Sequence, residues 1–273
     1  MCGKRLGMDA SNRPLAVVTG ASRGIGLELA KLFAAHDHDV IVAAEGADIH
    51  AVAQGLRDAG VEADAVQVDL ASDQGVDELY RAVKDSGRPV AAVALNAGRG
   101  AGGAFATDTR LEDELEIIDL NVRSTVHLAK HIVGDMVERN EGRILFTSSI
   151  ASTMPGSFQA VYNASKSFVQ SFALALRNEL KDTGVTVTSL MPGPTETEFF
   201  ERAEMLDTRV GTAEKDDPAD VARDGFDAMM AGAERSVSHS ASTKAQARAG
   251  RLMPDSVKAE MHRKQAEPGS ADH

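Results

Sequence analysis

The chain has 273 residues, of which 43% are hydrophobic and 26% charged, a composition typical of a soluble globular protein with its core in one domain. Its formal net charge of −12 argues against a nucleic-acid binder, since such proteins need a basic face to release counterions from phosphates. The single cysteine, Cys2, excludes an intramolecular disulfide framework. Residues 1–13 are polar and no apolar run is long enough to span a membrane, so we expect a cytoplasmic protein without a membrane partner.

A strand, a glycine-rich turn and a helix follow residues 1–13, which we expect to be a disordered lead. An apolar run at residues 15–18 predicts the strand, and apolar residues at helical spacing in 27–35 predict the helix. Between them, residues 19–26 have the glycine spacing G-x-x-x-G-x-G. Glycines let the backbone approach a pyrophosphate at a helix N-terminus, where free N–H groups attract anions. An ordinary loop is the alternative, but the flanking strand and helix favour nucleotide binding.

The alternation of strands and helices continues along the chain. The other predicted strands are residues 40–44, 65–68, 90–95, 143–147, 185–190 and 236–238, and the other predicted helices are residues 48–59, 73–85, 111–139 and 162–183. The strands are continuous apolar runs, which is typical of a parallel sheet covered by helices on both faces. We therefore predict an α/β fold, a Rossmann-type doubly wound parallel sheet of about seven strands, in a single domain at residues 14–240.

Residues 191–217, the lid segment, break this pattern with two prolines and a glycine followed by apolar residues among acidic ones. Because the lid segment follows the carboxyl end of a strand, where such sheets bind ligands, we interpret it as a mobile cover for the substrate. A packed surface helix is the alternative. Residues 241–273 predict a basic helical extension that is solvated rather than membrane-bound, with a frayed tail at residues 267–273.

Tyr162 and Lys166 are four residues apart and share one face of the predicted helix. An ammonium favours a nearby phenolate, so we expect Lys166 to lower the pKa of Tyr162 from its usual value near 10. The pair could then move a proton to or from a substrate oxygen. A half-buried ring beside a solvated amine is the alternative, and only the rest of the chain can favour chemistry.

His127 and His131 have the same spacing on another predicted helix. Two histidines so placed can bind a metal ion, but the sequence offers no third ligand near them. We interpret them as a helix-face or interface pair and expect no metal site.

Taken in order, these features resemble a short-chain dehydrogenase/reductase of the roughly 250-residue type. The resemblance covers residues 14–199, and it rests on the glycine turn, Asp69, Asn96, Ala97, Gly98, Asn121, Ser149, Tyr162, Lys166, Pro192 and Gly193. It implies an NAD(P)-dependent oxidoreductase that transfers a hydride between the nicotinamide and a carbonyl or alcohol substrate. It also implies a homodimer or homotetramer that pairs through the helices around residues 111–139 and 162–181.

The resemblance implies a catalytic tetrad of Asn121, Ser149, Tyr162 and Lys166. Ser149 is chosen over Ser148 because the family places its serine thirteen residues before the tyrosine. In the family, the tyrosine moves the proton, the serine holds the developing alkoxide, the lysine also binds ribose, and the main chain of the asparagine holds a water. In isolation, Asn121 could instead interrupt a helix, and Ser149 could cap a strand end.

The implied cofactor contacts lie at the turn and at the ends of the later strands. They are Gly20, Ser22, Arg23, Gly24, Ile25, Gly26, Glu45, Asp69, Leu70, Asn96, Ala97, Gly98, Tyr162, Lys166, Pro192, Gly193, Thr195 and Thr197. Asp69 and residues 96–98 match the adenine pocket, and Thr197 matches the partner of the nicotinamide amide. Thr195 departs from the family, which usually has Val or Ile there.

Residues of this sequence give conflicting indications about whether the cofactor is NADP or NAD. Arg23 resembles a residue that NADP-preferring members use on the 2′-phosphate, and Ala44 replaces the Asp of NAD-preferring members. Glu45 stands where many NADP enzymes have Arg, and it would repel the phosphate. We favour NADP, with NAD as the alternative. A dinucleotide sensor without turnover and a lyase or epimerase on the same fold are the alternative functions, and the sequence does not identify the substrate.

Overall fold

The computed structural model describes residues 13–237 and 253–272, and within them the chain forms one parallel sheet. Its strands are β1 Leu15–Thr19, β2 Asp39–Ala44, β3 Ala63–Gln67, β4 Val90–Leu95, β5 Gly142–Thr147, β6 Val185–Met191 and β7 Arg235–Val237. These seven strands pair in the order β3-β2-β1-β4-β5-β6-β7, and every pairing is parallel. The order reverses beside β1, so the predicted doubly wound Rossmann-type sheet is confirmed.

Helices cover both faces of this sheet. They are α1 Gly24–Ala35, α2 Ile49–Asp58, α3 Asp73–Asp85, α4 Leu111–Ile118, α5 Ser124–Arg139, α6 Ala160–Glu179, α7 Phe199–Arg202, α8 Arg209–Thr212, α9 Pro218–Met230 and α10 Asp255–Ala266. Successive residues of a strand point to opposite faces. Val17 therefore belongs to a core cluster with Leu128 of α5, whereas Val18 belongs to a cluster with Phe33 of α1 and Phe226 of α9.

The structure corrects several predicted boundaries. The helix predicted at residues 111–139 is divided by a π-helical turn, Asp119–Arg123, and the helix predicted at residues 162–183 ends at Glu179. Helix α9 was not predicted from the sequence, although residues typical of a helix start mark its beginning. The carboxylate of Asp217 caps the helix by accepting from the Ala219 N–H at 2.7 Å, and a proline takes the first turn.

Parts of the predictions for both termini fall outside the described residues. The predicted lead lies outside the described residues except for Arg13, and Ser238 of the predicted edge strand also lies outside them. The frayed tail is wrong for residues 267–272, because the Gly269 N–H donates to the carboxylate of Asp207 at 2.8 Å. Ala271 donates to the main-chain oxygen of the same residue at 3.0 Å. These bonds fasten the end of the chain to the lid segment.

The helix predicted in the basic extension exists as α10, and one of its faces is packed rather than solvated. His262 and Ala266 are buried, and Ala266 joins an apolar cluster with Phe200, Ala203 and Met205 of the lid segment. Among the helices in the described residues, none combines the length and apolar character that crossing a bilayer requires.

Candidate active site

A cleft of about 550 Å³ opens at the carboxyl edge of the sheet, a volume within the usual range for small-molecule sites. It is lined by the glycine turn, the ends of β2 to β6, the lid segment and α10. All but two of the predicted site residues line this cleft. Gly26 lies beneath the turn, where a Cβ atom would fall 2.1 Å from the Gly20 carbonyl oxygen, and Asn121 lies buried behind the cleft.

The glycine turn has a shape that side chains would prevent. Gly20 and Gly24 have φ values of 65° and 55°, in the left-handed region that favours glycine. No side chain caps the N-terminus of α1, whereas Ser72 caps α3 by accepting from an amide in its first turn. The first N–H groups of α1 therefore face the cleft, and no capping side chain bonds to them. This arrangement fits the pyrophosphate of a dinucleotide.

Lys166 and Tyr162 lie together at the buried end of the cleft. The Lys166 amine donates to the main-chain oxygen of Thr147 at 3.0 Å and lies 5.9 Å from the centre of the Tyr162 ring. Burial lowers the pKa of Lys166 to about 8. Burial also raises the pKa of Tyr162 to about 12, although a hydrogen bond with Ser149 acts in the opposite direction.

The expectation that the pKa of Tyr162 lies below its usual value is therefore wrong for this structure. Both groups lose water in the same enclosed corner, and desolvation favours the uncharged form of each. At neutral pH the phenol therefore holds its proton and can serve as a proton donor.

The two neighbouring serines have different partners. The Ser149 hydroxyl accepts from the Ala151 N–H at 3.1 Å, at the start of a short 3₁₀ turn, and is the serine that bonds with Tyr162. The Ser148 hydroxyl donates to the main-chain oxygen of Lys166 at 3.0 Å. Ser149 thus caps the 3₁₀ turn and also contacts the phenol.

The side chain of Asn121 holds a loop and does not enter the cleft. Its amide nitrogen donates to the Arg99 carbonyl at 2.9 Å and to the Ser165 hydroxyl at 3.0 Å, and its amide oxygen accepts from the Arg99 N–H at 2.9 Å. Asn121 lies in the π-helical turn, and a Cβ atom on Gly98 would come within 3.1 Å of its amide oxygen. Only the main chain of Asn121 remains for any role near Lys166.

Arg23 is held between two carboxylates that the sequence analysis did not connect with it. Its guanidinium contacts Asp48, at the start of α2, at 2.9 Å and also bonds to Glu198 of the lid segment. The cation predicted for the 2′-phosphate is thus paired with two carboxylates, and Glu45 lines the same cleft. Sequence spacing could not reveal Glu198, which lies 175 residues from Arg23.

The lid segment is folded across the mouth of the cleft. The Phe199 ring lies 5.1 Å from the Tyr162 ring, and a Cβ atom on Gly100 would approach the Phe199 ring to 2.5 Å. Gly102 donates to the Ala203 carbonyl at 2.9 Å. Gly100 and Gly102 therefore let the loop after β4 pass directly beneath the lid segment, a role that was not predicted for them from the sequence.

Two polar side chains that the sequence analysis missed also line the cleft. Gln159 is buried, and its amide nitrogen has no hydrogen-bond partner among the described residues. The Nδ1 of His262 lies 2.9 Å from the Ser157 carbonyl oxygen, and burial lowers the pKa of His262. Because a carbonyl only accepts, Nδ1 carries the proton of the neutral ring and Nε2 is an acceptor. Both side chains lie at the apolar wall of the cleft.

Comparisons with known proteins identify the family of this chain. A family model described as short chain dehydrogenase matches residues 14–206. The 3-oxoacyl-(acyl-carrier-protein) reductase of Synechocystis sp. is 34% identical over 201 residues, covering 71% of this chain and 79% of the relative. The NADP-dependent 3-hydroxy acid dehydrogenase YdfG of Salmonella typhi is 32% identical over 180 residues, covering 66% of this chain and 71% of the relative.

A solved structure is similar over most of the chain. A short-chain dehydrogenase from Sphingobium yanoikuyae in complex with NADPH has a TM-score of 0.77 and 27% identity, and the match covers 87% of this chain and 93% of the other. The matched family segment contains the glycine turn and Tyr162 but ends before α10. One wall of the cleft is therefore built from residues beyond that segment.

Proposed function

The chain belongs to the short-chain dehydrogenase family and is an NAD(P)-dependent oxidoreductase, and from this premise we propose that it reduces a carbonyl to an alcohol with Tyr162 as the proton donor. The observation that carries the proposal is the position of the Tyr162 phenol, which lies beside Ser149 and Lys166 at the buried end of the cleft. A protonated phenol suits reduction, because the oxygen of the substrate must gain a proton. Alcohol oxidation would require the phenolate.

Each residue of the catalytic tetrad has its own role in the reduction. The Ser149 hydroxyl donates a hydrogen bond to the carbonyl oxygen and stabilises the negative charge that develops there. Tyr162 transfers its proton to this oxygen, and Lys166 stabilises the phenolate that remains. The glycine turn would hold the pyrophosphate of the reduced dinucleotide, and the nicotinamide of that cofactor would supply the hydride for the carbonyl carbon. The main chain of Asn121 orders a water that returns the proton through Lys166.

One assay distinguishes carbonyl reduction from the alternative functions. Purified protein is mixed with NADPH and a panel of ketones, and NADPH oxidation is compared with alcohol formation. We expect one alcohol for each NADPH consumed. A dinucleotide sensor would bind NADPH without consuming it, and a lyase or epimerase would convert substrate without net oxidation of the cofactor, so either result would contradict the proposal.

The walls of the cleft favour a medium-sized substrate with an apolar body and a second polar group. Ile150, Met154 and Phe199 supply apolar surface, while Gln159 and His262 supply a donor and an acceptor. The Gln159 amide nitrogen is shielded from solvent and has no partner among the described residues, which costs free energy, and a rotation of the side chain into the cleft would let a substrate acceptor recover it. We propose that Gln159 donates to this second group.

Replacing Gln159 with Met tests this assignment. The change keeps the length of the side chain and removes the unpartnered amide, so we expect the melting temperature to stay the same or rise. The KM for a substrate that carries an acceptor should rise by roughly three- to tenfold, from the loss of one hydrogen bond worth about 1 kcal/mol. Gln74→Met, at an exposed position on α3 outside the cleft, is the matched control. A fall in melting temperature with no change in KM would give Gln159 a structural role instead.

We propose NADPH as the preferred cofactor, with Arg23 as the ligand of its 2′-phosphate. Arg23 is a basic side chain of the cleft that lies directly on the glycine turn, and the relative from Salmonella typhi is named as NADP-dependent. Arg23→Ala should weaken NADPH binding by roughly ten- to hundredfold and leave NADH nearly unchanged, because a charge-assisted contact to phosphate is worth about 1.5–3 kcal/mol. Glu45→Arg should tighten NADPH relative to NADH by removing a repelling carboxylate.

The pairing of Arg23 with Glu198 adds a third variant. Glu198→Gln releases the guanidinium from one carboxylate, so NADPH should bind more tightly while NADH is unaffected. Dissociation constants measured by fluorescence titration of both cofactors check all three variants. If Glu45→Ala weakens NADH and Arg23→Ala alters neither cofactor, then Glu45 is the ligand of the ribose and NAD is the cofactor.

We further propose that the protein is a cytoplasmic homodimer or homotetramer. Large apolar side chains remain exposed along one edge of the described chain, and they include Leu111, Leu115 and Ile118 of α4 with Phe168 of α6. The first three recur at helical spacing and form one stripe. Sedimentation analysis of the full chain tests the proposal, and a purely monomeric species at micromolar concentration would contradict it.

A further inference from the structure

A ladder of polar side chains joins α3 and α5 on the sheet face that lies away from α1. The two helices run parallel, since Asp73 at the start of α3 bonds to Arg123 just before α5, and Lys84 near its end bonds to Asp135. Between these ends, Asp77 of α3 faces His127 and His131 of α5. The structure thus supplies the third ligand that the sequence analysis lacked for the histidine pair.

The three side chains converge on one point. The Nε2 atom of His127 lies 3.1 Å from the Asp77 carboxylate oxygen, and the Nε2 atom of His131 lies 3.9 Å from the same oxygen. One ligand atom from each residue lies within 4.8 Å of the other two. Ligand atoms around a tetrahedral zinc ion with bonds near 2.0–2.2 Å are about 3.3 Å apart, so small side-chain rotations suffice to bind an ion.

Both imidazole rings are held by partners other than Asp77. The Nδ1 atom of His127 faces the Asp73 carboxylate at 3.6 Å, and the Tyr80 ring stacks on the His131 ring with centres 4.3 Å apart. A carboxylate on the far nitrogen of a histidine is the usual support of a metal ligand, because it fixes the tautomer and the ring orientation. A carboxylate near Nδ1 of His127 leaves Nε2, the nitrogen nearer to Asp77, as the ligand atom for an ion.

We propose that Asp77, His127 and His131 bind a divalent transition-metal ion, with Zn²⁺ as the best match to two imidazoles and a carboxylate. None of the three residues lines the catalytic cleft. The ion links α3 to α5 across the surface of the sheet and leaves at least one coordination position open to solvent. Its role is to stabilise this helix pair, and turnover does not depend on it.

Zinc titration of the full-length, tag-free and chelator-treated protein tests the site. Calorimetry at pH 7.5 should show one Zn²⁺ per chain, bound more weakly than at four-ligand structural sites, with a dissociation constant of roughly micromolar. Zn²⁺ should raise the melting temperature and leave the rate of NADPH oxidation unchanged. Lowering the pH to 6 should weaken binding, because the imidazoles must be neutral to bind the ion.

Three isosteric variants and one control locate the ion. Asp77→Asn, His127→Gln and His131→Gln should each weaken Zn²⁺ binding by at least about 100-fold, the upper range for losing a supporting group alone. His50→Gln removes an exposed histidine of α2 and should change nothing. Wild-type affinity in the three variants would overturn the proposal, as would the absence of binding at about millimolar Zn²⁺. In that case, the cluster is a set of side-chain contacts that joins α3 to α5 without an ion.

Discussion

Replacing Tyr162 with Phe is expected to lower kcat for carbonyl reduction by roughly 10²-fold or more, the usual contribution of a positioned acid. The variant removes the proton that the substrate oxygen must receive, while the ring keeps its place 5.1 Å from Phe199. The affinity for NADPH should be nearly unchanged, because the bulk of the dinucleotide lies along the glycine turn. Stopped-flow and steady-state measurements of NADPH oxidation give kcat, and fluorescence titration gives the dissociation constant.

The chain provides its own control, since Tyr80 is its other tyrosine. The Tyr80 hydroxyl donates to Asp135 at 3.1 Å between α3 and α5, outside the cleft, so Tyr80→Phe should leave kcat unaltered. If Tyr162→Phe retains turnover within a few-fold of the wild type, another group donates the proton and the assignment of Tyr162 is wrong.

Replacing Lys166 with Met is expected to reduce both turnover and cofactor affinity. Methionine keeps the apolar stem and removes the ammonium that stabilises the phenolate and that, by family resemblance, binds ribose. We expect kcat/KM to fall by roughly 10²-fold, as for the loss of one preorganised donor, and the NADPH dissociation constant to rise about tenfold. An unchanged dissociation constant would remove the ribose role and leave only the effect on Tyr162.

The pH dependence of cofactor binding gives an independent check on Lys166. Because burial lowers its pKa to about 8, the ammonium is present below pH 8 and is lost as the pH rises above it. NADPH binding by the wild type should therefore weaken above pH 8, and binding by Lys166→Met should be weak at all pH values and nearly flat.

Stability should depend on pH with the opposite sign. Between the folded pKa of about 8 and the ordinary value of 10.5, the unfolded chain holds more protons on Lys166 than the folded chain does. The free energy of unfolding therefore gains a contribution that rises with pH across this window. Urea titrations of the wild type and Lys166→Met should differ in this slope, and equal slopes would show that Lys166 does not titrate there.

The sequence predicted what local spacing determines. The glycine turn and the Tyr162–Lys166 pair are set by residues a few positions apart, and the apolar runs that build the sheet are equally local. The partners of Arg23 could not be predicted, because Glu198 comes from a segment that reaches the turn only after folding. Asp77 was missed for the same reason, since α3 and α5 meet only in the folded sheet.

The shifted pKa of Tyr162 shows a different limit. Spacing along a helix places Lys166 beside the phenol, but it does not reveal how completely the corner excludes water. Burial is a property of everything that packs there, including Phe199 and the loop at residues 98–103. The direction of the shift therefore followed from tertiary structure and reversed the expectation from the pair alone.

During synthesis, the hydrogen bonds from Gly269 and Ala271 to Asp207 form later than the sheet does. Domains fold from the N-terminus as the chain leaves the ribosome, so the sheet and the glycine turn can form once β7 has emerged. The contacts of Asp207 with Gly269 and Ala271 form only after residues 269–271 have emerged, about 60 positions after Asp207 itself. A ribosome that stops after residue 237 therefore releases a chain with the seven strands of the described sheet and the nucleotide half of the cleft, but without the wall that α10 supplies.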